Sequence, residues 1–128
     1  MGEQRKPKIL VVDDAKESHQ LVQEFLDFGK KKYEIVEAYD GAEGIDKVTE
    51  ESPDLIIVDQ RMPEMSGLKM INAIFAANPD FATPIILLTA TDDYLDPGEP
   101  LEAKELATAV INKSDWRLMV QTVTQILA

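Results

Sequence analysis

The chain has 128 residues, which is one domain by size and enough to bury a core. Its 24 acidic and 13 basic side chains leave a net charge of −11, which argues against a direct nucleic-acid surface and against docking on anionic lipid, since both reward a basic stripe. Cysteine is absent, which excludes a disulfide scaffold and a thiolate metal site, and apolar runs such as Ile9-Leu10-Val11-Val12 are too short to span a bilayer.

The N-terminus, Met1-Gly2-Glu3-Gln4-Arg5-Lys6-Pro7, is polar and lacks a signal-peptide core, so residues 1–7 read as a tail, residues 8–128 as one domain, and the setting as cytoplasmic. Residues 8–12 form an apolar run that ends at Asp13-Asp14. A helical stretch follows, with Leu21, Val22, Phe25 and Leu26 on one face and Gly29 as its stop. Residues 33–38 fit a second strand. Asp40 then reads as an N-cap before Ala42, Ile45 and Val48 at helical spacing, and Ser52-Pro53 breaks that helix. Leu55-Ile56-Ile57-Val58 is a third strand ending at Asp59, and the loop over residues 60–67 leads to a helix marked by Leu68, Ile71, Ile74 and Phe75. Ile85-Ile86-Leu87-Leu88 is a fourth strand ending at Thr89. Residues 91–100 are the least regular part, with Pro97, Gly98 and Pro100. A short helix over 101–107, a fifth strand over 108–112 ending at Lys113, and a last helix starting near Ser114 or Asp115 complete the chain. That last helix carries Trp116, Met119, Val120, Val123, Ile126 and Leu127 on one face. Strands alternating strictly with helices predict an open α/β sheet with helices on both faces, and the unbroken apolar runs fit strands covered on both sides.

In such sheets ligands bind beyond the carboxyl ends of the strands, where the strand order reverses. Four strands here deliver Asp13 and Asp14, Asp59, Thr89 and Lys113 to that edge. Taken singly, each has an ordinary explanation: a helix cap, a turn residue, a strand residue, a solvated charge. Taken together they do not. At about 5 Å and an effective dielectric of about 20, each carboxylate pair costs roughly 3 kcal/mol, and one lysine offsets only part of it. Such a cluster takes up protons or binds a divalent cation, and oxygen-only ligands favour Mg²⁺ or Mn²⁺. A carboxylate beside that ion, with a lysine and a hydroxyl nearby, is set up to accept a phosphoryl group.

These residues resemble the receiver domains of two-component response regulators, over residues 8–128. The resemblance rests on Ile9-Leu10-Val11-Val12-Asp13-Asp14, Ala38-Tyr39-Asp40-Gly41, Asp54-Leu55-Ile56-Ile57-Val58-Asp59 with Met62-Pro63 and Ser66-Gly67, residues 84–90, and Lys113. It implies a flavodoxin-like, doubly wound sheet of five parallel strands in order 2-1-3-4-5 with five helices. It implies Asp59 as phosphoacceptor, Mg²⁺ held by Asp14 directly, by Asp13 through water, by Asp59 and by the backbone carbonyl of Arg61, Lys113 paired with the phosphate, and Thr89 moving to hydrogen-bond it. It implies a histidine kinase or a histidine phosphotransfer protein as donor. Phosphorylation would then switch the surface of the fourth helix, fifth strand and fifth helix toward a downstream effector or a phosphorylation-dependent homodimer. The domain would phosphorylate and slowly dephosphorylate itself without turning over an external metabolite.

Four positions depart from the family pattern. Ser114 stands where proline usually follows the lysine through a cis bond. A cis bond to serine costs about 2.5–4 kcal/mol against trans, so a trans bond or visible strain is expected. Val110 stands where an aromatic residue usually moves with the switch threonine, with Tyr94 a weak substitute. Residues 91–100 are proline-rich and the fourth helix looks short, which implies an unusual partner. Arg61 and Thr91 occupy the positions that tune the lifetime of the phosphoryl group, and Arg61 is expected to pair with Glu64 or with the phosphate.

Other functions weigh less. A small Mg²⁺-dependent phosphatase would want a carboxylate two residues after the nucleophile, where Arg61 stands. A phosphate- or flavin-binding module would be repelled by Asp13-Asp14. A pseudo-receiver acting by partner binding alone is kept open by the departures near Lys113. His19, the single histidine, reads as a solvated or half-packed residue of the first helix. Met70 and Met119 read as core, Met62 as part of the loop, Trp116 as packing, and Lys30-Lys31-Lys32 as a basic run at a helix end.

Overall fold

The computed structural model describes residues 5–29, 31–90 and 97–128. The apolar runs become β1 (Lys8–Val12), β2 (Glu34–Ala38), β3 (Leu55–Asp59), β4 (Ile85–Thr89) and β5 (Ala109–Asn112). The amphipathic stretches become α1 (Lys16–Asp27), α2 (Gly41–Glu51), α3 (Gly67–Ala77), a 3₁₀ helix (Leu101–Leu106) and α4 (Trp116–Ile126). The short fourth helix expected over residues 101–107 is thus a single 3₁₀ element, and the last helix of the sequence is α4. All strand pairs are parallel, in the order β2-β1-β3-β4-β5.

Local chemistry sets the boundaries. Asp40 caps α2 by accepting from the Glu43 amide at 2.7 Å, Ser66 caps α3 from Lys69, and Asp115 caps α4 from Leu118. Ser52 ends α2 in the left-handed region, just before Pro53. Asp13 and Asp14 do not cap α1; the residue there is Ala15, with no side-chain cap. The expected tail is fastened at its end: the Arg5 guanidinium meets the Asp54 carboxylate at 3.0 and 3.1 Å, and Pro7 O accepts from the Glu34 amide.

Strand alternation sorts the core into two layers. Leu10, Val12, Ile56, Val58, Ile85 and Leu87 pack against α2, α3 and Ala103 of the 3₁₀ helix. Ile9, Val11, Leu55, Ile57, Ile86, Leu88 and Ile111 pack against α1 and α4 through Val22, Leu26, Met119 and Val123. Every residue of β3 is buried. Each fully buried Leu or Ile contributes about 1.5–3 kcal/mol relative to exposure, so the central strands cannot slip register without losing many such terms. That rigidity carries over to whatever side chains sit at the strand ends.

Candidate functional site

β1 and β3 are neighbours, yet the chain runs outward from them in opposite directions, so the carboxyl edge opens between them. Asp13 follows β1 and Asp59 ends β3; both side chains are buried, at 5% and 3% exposure, while Asp14 is exposed. Carboxylate oxygens of Asp13, Asp14 and Asp59 all lie within 4.8 Å of one another. Lys113 enters from β5, fixed by its amide donating to Thr89 O at 2.7 Å. Its Nζ lies 2.9 Å from Asp59 Oδ1 and 3.9 Å from Asp13 Oδ2. Two buried carboxylates thus share one ammonium with an exposed third carboxylate beside them, which leaves a net negative, oxygen-only pocket suited to a hard divalent cation.

Asp13 is held on several sides. Its amide donates to Ala38 O at 3.1 Å, its Oδ1 accepts from the Ala15 amide at 2.9 Å, and its carbonyl accepts from His19 Nε2 at 2.8 Å. Asp59 is held by its strand, and the next residue, Gln60, turns the chain away from the sheet. Gln60 is buried and uses every polar group: its amide donates to Leu88 O, its carbonyl accepts from Gly67, its Oε1 accepts from Leu68 at 2.9 Å, and its Nε2 donates to Glu99 Oε1 at 2.9 Å. Glu99, with a side chain only 5% exposed, also accepts from Ser66 Oγ at 2.6 Å and faces Lys69 Nζ at 3.6 Å. Gly67 is needed here, because a Cβ would stand 2.8 Å from Asp59 O and 2.7 Å from Leu87 Cδ1. Thr89 lies half-buried on the wall of a cavity of about 180 Å³, together with Gln60, Leu68, Leu87, Ala90, Lys104 and Val110.

The structure therefore gathers Asp13, Asp14, Asp59 and Lys113 at one point and places Thr89 on the adjacent strand end. Arg61 follows Gln60, exposed at the start of the loop. No cis peptide bond occurs among the described residues, so Lys113-Ser114 is trans, and neither residue takes a positive φ. Val110 is exposed, at 45%. Met62, Met70 and Met119 are buried, and Trp116 stacks on Phe25 with ring centroids 5.0 Å apart. Thr91 and Tyr94 lie outside the described residues.

His19 departs from expectation. It is buried rather than solvated or half-packed. The signal was present: positions 19, 22 and 26 share one helical face, and Val22 and Leu26 are core. Gln60 and Glu99 were not singled out from the sequence. Glu99 sits in a Pro/Gly-rich stretch where no periodicity marks an inward side chain.

The model of the response regulator receiver domain family matches residues 9–123. The chain belongs to this family. The receiver domain is also similar to the hybrid signal transduction histidine kinase D of Dictyostelium discoideum, 36% identical over 121 residues. That match takes in 84% of this chain and 8% of the kinase, so the chain spans a small fraction of that relative's length. Among solved structures, the chemotaxis response regulator CheY4 of Vibrio cholerae is 30% identical, with a TM-score of 0.74 over 95% of this chain and 99% of that one. A response regulator receiver domain from Clostridium thermocellum is 27% identical, with a TM-score of 0.74 over 94% and 93%. The five-stranded order and the alternating helices are those of the flavodoxin-like receiver fold.

Proposed function

We propose that this receiver domain accepts a phosphoryl group on Asp59 in a Mg²⁺-dependent reaction and uses it to switch a partner-binding face. The observation that carries the reading is the Lys113 ammonium 2.9 Å from Asp59 Oδ1, inside a cluster of three carboxylates. Asp13, Asp14 and Asp59, with the backbone carbonyl of Arg61, would hold Mg²⁺, or Mn²⁺ in its place. The oxygen-only donors and their mutual spacing of under 4.8 Å fit such an ion. When bound, it supplies positive charge against the phosphoryl oxygens.

An Asp59 oxygen attacks the phosphorus of a phosphohistidine. The new O–P bond forms as the N–P bond breaks, and the leaving imidazole takes up a proton. Lys113 neutralises the transferring oxygens, and the Thr89 hydroxyl moves toward one of them once the acyl phosphate is formed. Water later hydrolyses the acyl phosphate and resets the domain.

The donor is a histidine kinase or a histidine phosphotransfer protein. The switching face comprises the 3₁₀ helix, β5 and α4, which carry the exposed Leu101, Leu106, Val110 and Leu118. These apolar side chains support a protein effector or a second copy of the domain as the phosphorylation-dependent partner. No helix among the described residues is long and apolar enough to cross a membrane, which is compatible with a cytoplasmic setting.

Incubation with acetyl phosphate, with and without Mg²⁺, tests the proposal by intact mass. The wild type should gain one phosphoryl group only with the metal, and Asp59→Ala should gain none. A wild type that stays unmodified in Mg²⁺ overturns the reading and leaves partner binding without phosphorylation as the function.

A further inference from the structure

His19 is a buried side chain that phosphoryl transfer leaves without a part. It projects from the first turns of α1 with no side-chain exposure. A polar ring in such a place costs free energy unless its hydrogen bonds are made. One is made well: Nε2 stands 2.8 Å from Asp13 O. A carbonyl only accepts, so Nε2 carries the proton. That oxygen belongs to the peptide unit joining Asp13 to Asp14. A single hydrogen bond from His19 therefore fixes the plane from which both carboxylates depart.

The ring also packs beside the end of β2. Tyr39, just past the strand, stands against it with centroids 4.4 Å apart, while Nδ1, 3.6 Å from Glu37 Oε2, is beyond hydrogen-bond distance. The Tyr39 hydroxyl donates to the other oxygen of Glu37 at 3.1 Å. The remaining contacts of Asp13 are complementary. Its amide is anchored on Ala38 and its Oδ1 on the Ala15 amide, so that Oδ2 is the oxygen on the Lys113 side.

We infer that His19 is a positioning residue of the cation site, orienting the Asp13–Asp14 peptide so that both carboxylates point at one ion. This rests on the reading of those carboxylates as a Mg²⁺ site. A hydrogen bond one step behind the ligands sets their direction and so the affinity for the ion, whereas a merely space-filling residue sets only stability.

The test is calorimetric titration of the full chain with Mg²⁺, set beside thermal unfolding in chelator. His19→Met keeps the length and loses the donor; His19→Gln keeps a donor. The expected result is an affinity for Mg²⁺ at least about tenfold weaker in His19→Met, with most of it restored in His19→Gln. The two variants should unfold at similar temperatures without metal. An affinity in His19→Met within about twofold of wild type overturns the inference. A wild type that binds no Mg²⁺ overturns the cation site and this inference with it; a wild type that binds beside an equally competent His19→Met overturns this inference alone. Should His19→Met fail to fold, the imidazole ¹⁵N resonances of the wild type decide. They should shift as Mg²⁺ saturates the site, and resonances that stay put overturn the inference.

Discussion

At the acidic rim, Asp13, Asp59 and Lys113 emerge from β1, β3 and β5, and the first two of those strands are covered on both sides by core. Around the 3₁₀ helix the arrangement is different. Ala103 is the buried apolar residue of that element, and the chain leading into it is tied by the carboxylate of Glu99 to Gln60, Ser66 and Lys69. One region takes its geometry from hydrophobic packing, which is strong and non-directional. The other adds to its single core contact at Ala103 a few directional bonds, to Gln60 and Ser66 in the loop right after Asp59 and to Lys69 of α3. Gln60, bonded at every polar atom, is the covalent neighbour of Asp59 on one side and a partner of Glu99 on the other. Gln60 and Glu99 thus join the residue after Asp59 to the chain that enters the 3₁₀ helix.

Lys113→Ala is the severest test of this contrast. It removes the ammonium 2.9 Å from Asp59 Oδ1 while leaving the strand that carries it intact. If the proposed function holds, loss of this positive donor should lower the rate of phosphoryl uptake by about 100-fold or more, with the fold retained. The time course of intact mass in acetyl phosphate checks it. A rate within a few-fold of wild type would mean that the rim does not act as a preorganised site.

Glu99→Ala probes the other region and should have the opposite profile. It leaves Gln60 Nε2 and Ser66 Oγ without this acceptor in a half-buried setting, a loss of about 1–3 kcal/mol by urea unfolding. Amide exchange in Leu101–Leu106 should speed up more than exchange in β3, and phosphoryl uptake at Asp59 should change little. Equal loosening of both regions would show that the 3₁₀ helix is held by packing after all. Gly67→Ala falls between the two, since its Cβ would press on Asp59 O and Leu87 Cδ1 together. Overpacking of about 1–3 kcal/mol should appear there with a slowed uptake, because the strain reaches Asp59 directly.

The same contrast explains what the sequence made legible. Apolar runs of four residues ending in Asp13, Asp59 and Thr89 are one-dimensional signals, because a buried strand fixes where its last side chain goes, and the shorter run before Asn112-Lys113 gives a weaker version of the same signal. The parallel alternation was equally visible, and so was the cap at Asp40, while the start of the last helix was legible only to within Ser114 or Asp115. His19 was readable by its spacing to Val22 and Leu26, although its polar character argued for solvent. Glu99 carried no such mark. Its burial depends on Gln60 and Ser66, more than thirty positions away, and local pattern does not encode a pairing of that separation. The 3₁₀ geometry was hidden for a related reason, since a stretch of six residues between Pro100 and Ala107 is too short for periodicity to separate it from an α-helix.

The mildest effect belongs at the opposite, amino-terminal end of the sheet, which takes no part in the proposed chemistry. Asp54 titrates below the usual carboxylate range, chiefly because the Arg5 side chain donates to it, and then because the Lys8 amide does. A carboxyl whose folded pKa lies below its unfolded value of about 4 adds stability that is complete above that value and fades as pH falls through the folded pKa. Arg5→Ala removes the leading cause. Arg5 is exposed and Asp54 only half-buried, so the wild type should exceed the variant by a small margin at neutral pH, and by less still in high salt. Below about pH 4 the difference should shrink, as the wild-type carboxyl is protonated as well. Unfolding of both proteins from pH 7 to pH 3 measures this directly. A gap that stays constant across that range would place the contribution of Arg5 in packing rather than charge, and would make this edge of the sheet resemble the core-set rim instead of a solvated tie.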